Sequence, residues 1–167
     1  MPKMSSEVAS PFQRSTLNGP PMGTRRAASV DTDDSVNQKA LHQGLAAAVQ
    51  QVDAQMSPWK QGSDLVRLNR APVGAWVDLP PEMLEVQTCA MDIHRLSAGA
   101  FDPCVGALVD AWGFGAVRDA PDAEAIHTAR QTAPCPMHEG LELDRPAGRA
   151  RKRAPVQLDL CGIAKGY

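Results

Sequence analysis

Apolar residues recur at helical spacing in two long stretches of the chain. Leu41, Leu45, Val49, Val52 and Met56 follow one another in steps of three and four, which places them on one helical face. Ser35 and Gln38 precede them as an S-x-x-Q capping box. Met56-Ser57-Pro58-Trp59 interrupts this pattern, and Ser63 to Asn69 is a polar segment enclosing Leu65, Val66 and Leu68. A second helix is predicted from Asp78 and Pro80-Pro81, because proline is tolerated in a first turn. Its buried stripe is Met83, Val86, Ala90, Ile93 and Ser97, and Gly99 is its stop. Two shorter helices are predicted from Pro103 towards Trp112 and from Pro121 towards Gln131. Gly74 to Leu79, Leu141 to Asp144 and Val156 to Leu160 have strand character. The last two flank Arg149-Ala150-Arg151-Lys152-Arg153, which reads as the solvated turn of a hairpin.

Several helices and a few short strands imply a layered α/β or α+β domain. Two or three strands with an exposed edge make a poor sheet, so the tally resembles half of a layered domain. Residues 1 to about 34 lack apolar periodicity and are rich in Ser, Pro, Gly, Asp and Arg. They read as a mobile tail with a short extended piece near Met22-Gly23-Thr24.

Composition narrows the function classes. A net charge of −2 leaves no electrostatic case for nucleic acid or a membrane surface. Cys89, Cys104, Cys135 and Cys161 have no paired spacing that suggests a disulfide framework, and read as reduced thiols. Cys135-Pro136-Met137-His138 has the gap of half a zinc site, but no second half follows. The N-terminus holds no continuous apolar stretch, so neither a signal peptide nor a transmembrane helix is expected, and the chain reads as cytoplasmic.

Candidate chemistry lies in short loops. Gly99-Ala100-Phe101-Asp102-Pro103 is a turn entering a helix, with Asp102 at the N-cap. Trp112-Gly113-Phe114-Gly115 ends that helix, and Trp59 stands in a break between elements. The closing stretch, Leu158-Asp159-Leu160-Cys161-Gly162-Ile163-Ala164-Lys165-Gly166-Tyr167, runs from a strand into a glycine-bracketed lysine suited to a pyrophosphate. No P-loop, Ser/His/Asp or H-E-x-x-H pattern occurs, and His42, His94, His127 and His138 are scattered without an obvious partner.

The order of these stretches is more specific than any one of them. Met22-Gly23-Thr24, Met56 to Trp59, Ser63-Asp64-Leu65 with Leu68-Asn69, Gly99 to Pro103, Trp112 to Gly115 and the closing stretch follow in series. The series resembles the N-terminal half of the ApbE family, the FAD:protein FMN transferases, from residue 22 to residue 167, with residues 1–21 as a disordered tail. The resemblance implies an ApbE-like layered α+β fold, here truncated, with helices packed on an incomplete and mainly antiparallel sheet. It implies a transferase that uses Mg²⁺ to split FAD, attaches FMN to a threonine of an acceptor flavoprotein and releases AMP.

Carried over by motif position, Met22, Trp59, Ala100, Phe101, Asp102, Cys161, Lys165 and Tyr167 are implied to contact FAD. Ala164 matches a position whose backbone carbonyl ligates magnesium. Three departures accompany the match. The family continues from Met-Gly-Thr as an apolar strand, whereas Arg25-Arg26-Ala27-Ala28-Ser29 is polar. The family also extends about as far again beyond this sequence, with Asp and Thr metal ligands and a His-containing FAD motif, and its members often carry an export or lipoprotein signal. With one main-chain ligand and no carboxylate cage, magnesium is expected to bind this chain feebly. The alternative expectation is a non-catalytic flavin-binding or interaction fragment, with a partner chain completing its sheet.

Overall fold

A computed structural model describes residues 13–19, 26–33, 35–117, 119–131 and 135–167. The chain divides into two compact units, residues 1–50 and 51–167. In the first unit, β1 (Gln13–Gly19) and β2 (Arg26–Thr32) form an antiparallel pair, with Gln13 opposite Thr32 and Gly19 opposite Arg26. Part of the stretch expected to be a tail is therefore a strand. Its sequence holds one apolar residue, Leu17, too few for the period-two signal of a strand. The Arg14 guanidinium grips the Asp31 carboxylate through two bonds of 2.8 Å across this pair. Met22-Gly23-Thr24 lies outside the described residues.

Helix α1 (Gln38–Met56) starts two residues later than the S-x-x-Q box proposes. Asn37 makes the cap, since its Oδ1 accepts the Ala40 N–H at 3.1 Å. Ser35 is instead engaged by Asp33, and the Gln38 side chain donates to Thr32 Oγ1 at 2.9 Å. Of the predicted apolar stripe only Met56 is buried, while Leu45 is exposed.

In the second unit, Ser63 caps α2 (Asp64–Arg70): its Oγ accepts the Val66 N–H at 3.1 Å and donates to the Ser57 carbonyl at 2.7 Å. Leu65, Val66 and Leu68 are buried, so the polar segment is an amphipathic helix. Helix α3 (Pro81–Leu96) carries a proline at its start as predicted. It buries Met83, Leu84, Val86, Gln87, Ala90 and His94, whereas Ile93 is exposed. The buried line thus passes through His94 rather than Ile93, because 83, 87, 90 and 94 keep the 3.6-residue period more closely. Two left-handed residues, Ala98 and Gly99, end the helix, with the Gly99 N–H on the His94 carbonyl at 2.9 Å.

Helix α4 (Gly106–Ala111) and helix α5 (Ala123–Gln131) follow, the latter capped by Asp122, whose carboxylate accepts the Glu124 and Ala125 N–H groups. A short α6 (Met137–Gly140) leads into the sheet, which has the order β3 (Val77–Asp78), β5 (Arg149–Lys152), β4 (Leu141–Asp144), all antiparallel. The basic run is therefore the central strand, not a turn. The hairpin turns earlier, at Gly148, whose φ of 69° suits glycine. Ala150 and Lys152 face inward, while Arg149 and Arg151 lie over the Trp76 ring at 4.5 Å each. Cation–π contact and ion pairs to Asp144 and Glu142 let arginines occupy a strand that reads as solvated. Residues 156–160 are extended but make only an isolated parallel bridge, Val105 to Gln157.

The core gathers Leu65, Leu68, Met83, Met137, Leu141, Leu158 and Leu160. Gln87 is fully buried among such residues, and neither of its side-chain polar atoms has a hydrogen-bond partner. An unpaired amide in this position costs on the order of 1–3 kcal/mol. Gln87→Leu is accordingly expected to raise the urea midpoint without changing the slope, a gain of about 1 kcal/mol or more. A lowered midpoint would show that the amide is satisfied in solution.

Candidate functional site

The loop after α3 and the closing stretch are brought together. In the first, the Phe101 N–H donates to Ser97 Oγ at 3.0 Å and the Phe101 carbonyl accepts from His94 Nδ1 at 2.9 Å. Asp102 uses both carboxylate oxygens: Oδ1 accepts the Cys104 N–H at 2.8 Å and Oδ2 the Met137 N–H at 3.2 Å. Asp102 therefore closes a local turn and ties the loop to α6, whereas the helix expected from Pro103 begins only at Gly106, with Val105 and not Asp102 at its N-cap.

The closing stretch has no full ladder partner, and Asn69 takes that place. Its Nδ2 donates to the Leu158 carbonyl at 2.9 Å and its Oδ1 accepts the Leu158 N–H at 2.8 Å. The Asn69 carbonyl in turn accepts from the buried Lys152 ammonium at 2.6 Å. Desolvation holds that ammonium below the usual lysine range. From the other side, the Asp159 N–H reaches the Pro103 carbonyl at 2.8 Å and the Gly106 N–H reaches the Gln157 carbonyl at 2.9 Å. Gly106 permits this approach, because a Cβ there would stand 2.7 Å from the Gln157 oxygen.

These bonds set Phe101 against the turn at Gly162, where a Cβ would lie 3.4 Å from Phe101 Cε2. Phe101, Ile163 and Ala164 all pack on the core, while Ala100, Cys161, Lys165 and Tyr167 are exposed. A single turn of 3-10 helix, Ala164–Gly166, closes the stretch. The Cys161 N–H caps on Asp159 Oδ1 at 2.8 Å, and the thiol is pushed up to about 12 by desolvation and the Asp159 carboxylate. It is therefore a neutral thiol at physiological pH, suited to contact and not to nucleophilic attack. Trp59 is 56% exposed before α2 and shares no hydrogen bond with either loop. Among the described residues, no group of three or more His, Cys, Asp or Glu side chains is placed to hold a metal.

Two features escape a reading of the sequence alone. Asn69 looks like an ordinary helix-end residue, and its bond partners lie 89 positions away. His94 and His138 are 44 positions apart, yet His94 Nε2 and His138 Nδ1 meet at 3.0 Å. A signal existed for His94, which with Gln87 is one of two polar residues on the buried helical stripe. Beside the pair lies a cleft of about 470 Å³ lined by Met91, His94, Arg95, Gly99, Pro136 and His138.

Comparison with known proteins gives a consistent picture. Residues 22–167 match the ApbE family. A FAD:protein FMN transferase of Klebsiella pneumoniae is 32% identical over 166 residues, which cover 95% of this chain and 47% of that protein. One from Haemophilus influenzae is 29% identical, covering 91% of this chain and 46% of its own length. The apo structure of the Pseudomonas stutzeri flavinyl transferase ApbE superposes with a TM-score of 0.80 at 29% identity, over 95% of this chain and 52% of that one. The Vibrio cholerae flavin transferase ApbE gives a TM-score of 0.80 at 28% identity, over 93% and 50% respectively. The chain thus spans about half the length of the relatives it matches. No helix among the described residues is long and apolar enough to cross a membrane.

Proposed function

The chain belongs to the ApbE family, and from that premise we propose that it forms the FAD-contacting wall of an FAD:protein FMN transferase. The observation that carries the proposal is the junction of two separate loops, with Phe101 against Gly162 and Asp159 hydrogen-bonded to Pro103. Phe101 offers an apolar face for a flat ring. Exposed Lys165, one turn away on a 3-10 helix, offers a cation for phosphate. Ala100 and Asp102 shape the first loop, Cys161 and Tyr167 the second, and Met22 and Trp59 are further contacts by family position. The reaction is FMN transfer from FAD to a threonine hydroxyl of an acceptor flavoprotein, with AMP as leaving group.

Magnesium would neutralise charge on the pyrophosphate and the leaving group. The Ala164 carbonyl, which holds only a long 3.4 Å bond from the Tyr167 N–H, is the atom this chain offers to such an ion. One neutral oxygen does not make a magnesium site, which requires near-octahedral oxygen ligands including carboxylate. The described residues therefore do not complete that site. The expected result follows: residues 1–167 bind FAD saturably but leave no covalent flavin on a threonine-bearing acceptor in the presence of Mg²⁺. In-gel flavin fluorescence and the acceptor mass read both. Covalent flavin made by this chain alone would show that the wall is a whole site, and absence of FAD binding would sink the proposal.

A further inference from the structure

His94 and His138 serve no step of flavin transfer, yet their rings are arranged as paired metal ligands are. The inner nitrogens, His94 Nε2 and His138 Nδ1, face each other at 3.0 Å. Each outer nitrogen faces an oxygen. His94 Nδ1 lies 2.9 Å from the Phe101 carbonyl and 3.4 Å from Asp102 Oδ2, and His138 Nε2 lies 3.6 Å from Glu139 Oε1. A carbonyl can only accept, so His94 carries its hydrogen on Nδ1 and, as a neutral ring, presents a bare lone pair at Nε2. Metal-ligating imidazoles are held in this way, with the second nitrogen donating to a carbonyl or carboxylate behind the ring.

A hydrogen bond between the rings satisfies only half of this arrangement. It needs the His138 hydrogen on Nδ1, and that turns a lone pair of Nε2 towards the Glu139 carboxylate. With the hydrogen on Nε2 instead, Glu139 gains a donor but two inner lone pairs meet. A cation between the inner nitrogens resolves both contacts at once. Tetrahedral zinc places two ligating nitrogens about 3.4 Å apart. The 3.0 Å pair must therefore open by a few tenths of an ångström, which His138, 60% exposed, can give by turning.

The surroundings suit a cation. The Asp102 and Glu139 carboxylates lie behind the two rings, and Arg95 on the cleft wall is already paired with Asp92 at 2.8 Å. Among the described residues no third His, Cys, Asp or Glu side chain joins the pair, so Cys135 of the Cys135-Pro136-Met137-His138 spacing is not a ligand. The remaining positions open on the cleft of about 470 Å³.

We propose that His94 and His138 form a two-imidazole site for Zn²⁺ or another imidazole-seeking divalent transition metal, with water from the cleft completing the coordination. Two nitrogen ligands do not suit magnesium, which takes oxygen. The site is therefore separate from the Ala164 carbonyl and does not rest on the flavin reading.

Zinc titration of the untagged chain near neutral pH, followed by calorimetry and by nitrogen-15 NMR of the imidazoles, tests the site. A single Zn²⁺ is expected, with a dissociation constant on the order of ten micromolar, weaker than a four-ligand structural site. The His94 Nε2 and His138 Nδ1 resonances should move together on addition of zinc, and neither should move with Mg²⁺. His138→Ala, at an exposed position, should keep the urea midpoint and weaken zinc about tenfold or more. His127→Ala, on the exposed side of α5, should leave the affinity unchanged. Zinc bound equally well by His138→Ala would overturn the site and move the ion elsewhere, for example to the exposed thiols of Cys89 or Cys161. Zinc that shifts neither inner nitrogen, or no binding at millimolar zinc, would overturn it as well.

Discussion

Replacing Asn69 by alanine is expected to lower the unfolding free energy by about 2–5 kcal/mol, measured by urea titration. The substitution removes both bonds to Leu158, a residue with 1% of its surface exposed, and leaves a buried N–H and a buried carbonyl without partners. Each orphaned group costs on the order of 1–3 kcal/mol, more than the bonds themselves are worth net. Asn69→Leu is the control, since it keeps the volume and removes only the polar atoms. Both variants should lose comparable stability and both should release the closing stretch. A stable Asn69→Leu would mean that Leu158 finds other partners, and that the amide is not what holds residues 158–167 against the loop after α3.

The second large effect is on ligand binding. Phe101→Ala is expected to weaken FAD binding about thirtyfold, which corresponds to about 2 kcal/mol, the usual scale for truncating an aromatic anchor. The ring packs on the core and against Gly162, so its loss also opens a gap between the loops. Phe101→Leu separates the two contributions: it refills most of the gap and should recover stability while recovering only part of the affinity. An FAD dissociation constant unchanged in Phe101→Ala would remove this ring from the contact surface.

Much of the scaffold was legible in the sequence, and the reasons are local. Pro80-Pro81 and the stripe of Met83, Val86 and Ala90 mark α3 because proline and helical periodicity act within a few residues. Gly99 ends it, as a left-handed stop should. The central strand was not legible, because Arg149, Arg151 and Lys152 suppress hydrophobicity. Their charges are met by Asp144 and Glu142 on the neighbouring strand and by Trp76 and the Asn69 carbonyl, the last two far off in sequence. Strand β1 was hidden because Gln13-Arg14-Ser15-Thr16-Leu17-Asn18-Gly19 holds a single apolar residue. In the site, the positions of the two loops followed from motif order, but the bonds that join them did not. Asn69 to Leu158 and His94 to His138 are long-range polar pairings, and side-chain polarity carries no period that announces a partner.

The central claim is that residues 99–103 and 161–167 form one flavin-contacting surface. The most direct measurement is a ¹H–¹⁵N correlation spectrum of the protein during titration with FAD. Shifts should appear together and with one dissociation constant in Ala100 to Asp102 and in Cys161 to Tyr167. Residues around the cleft formed by Gln61, Arg70 and Trp76 should stay unmoved. Shifts concentrated at that cleft, or confined to one of the two loops, would contradict the account.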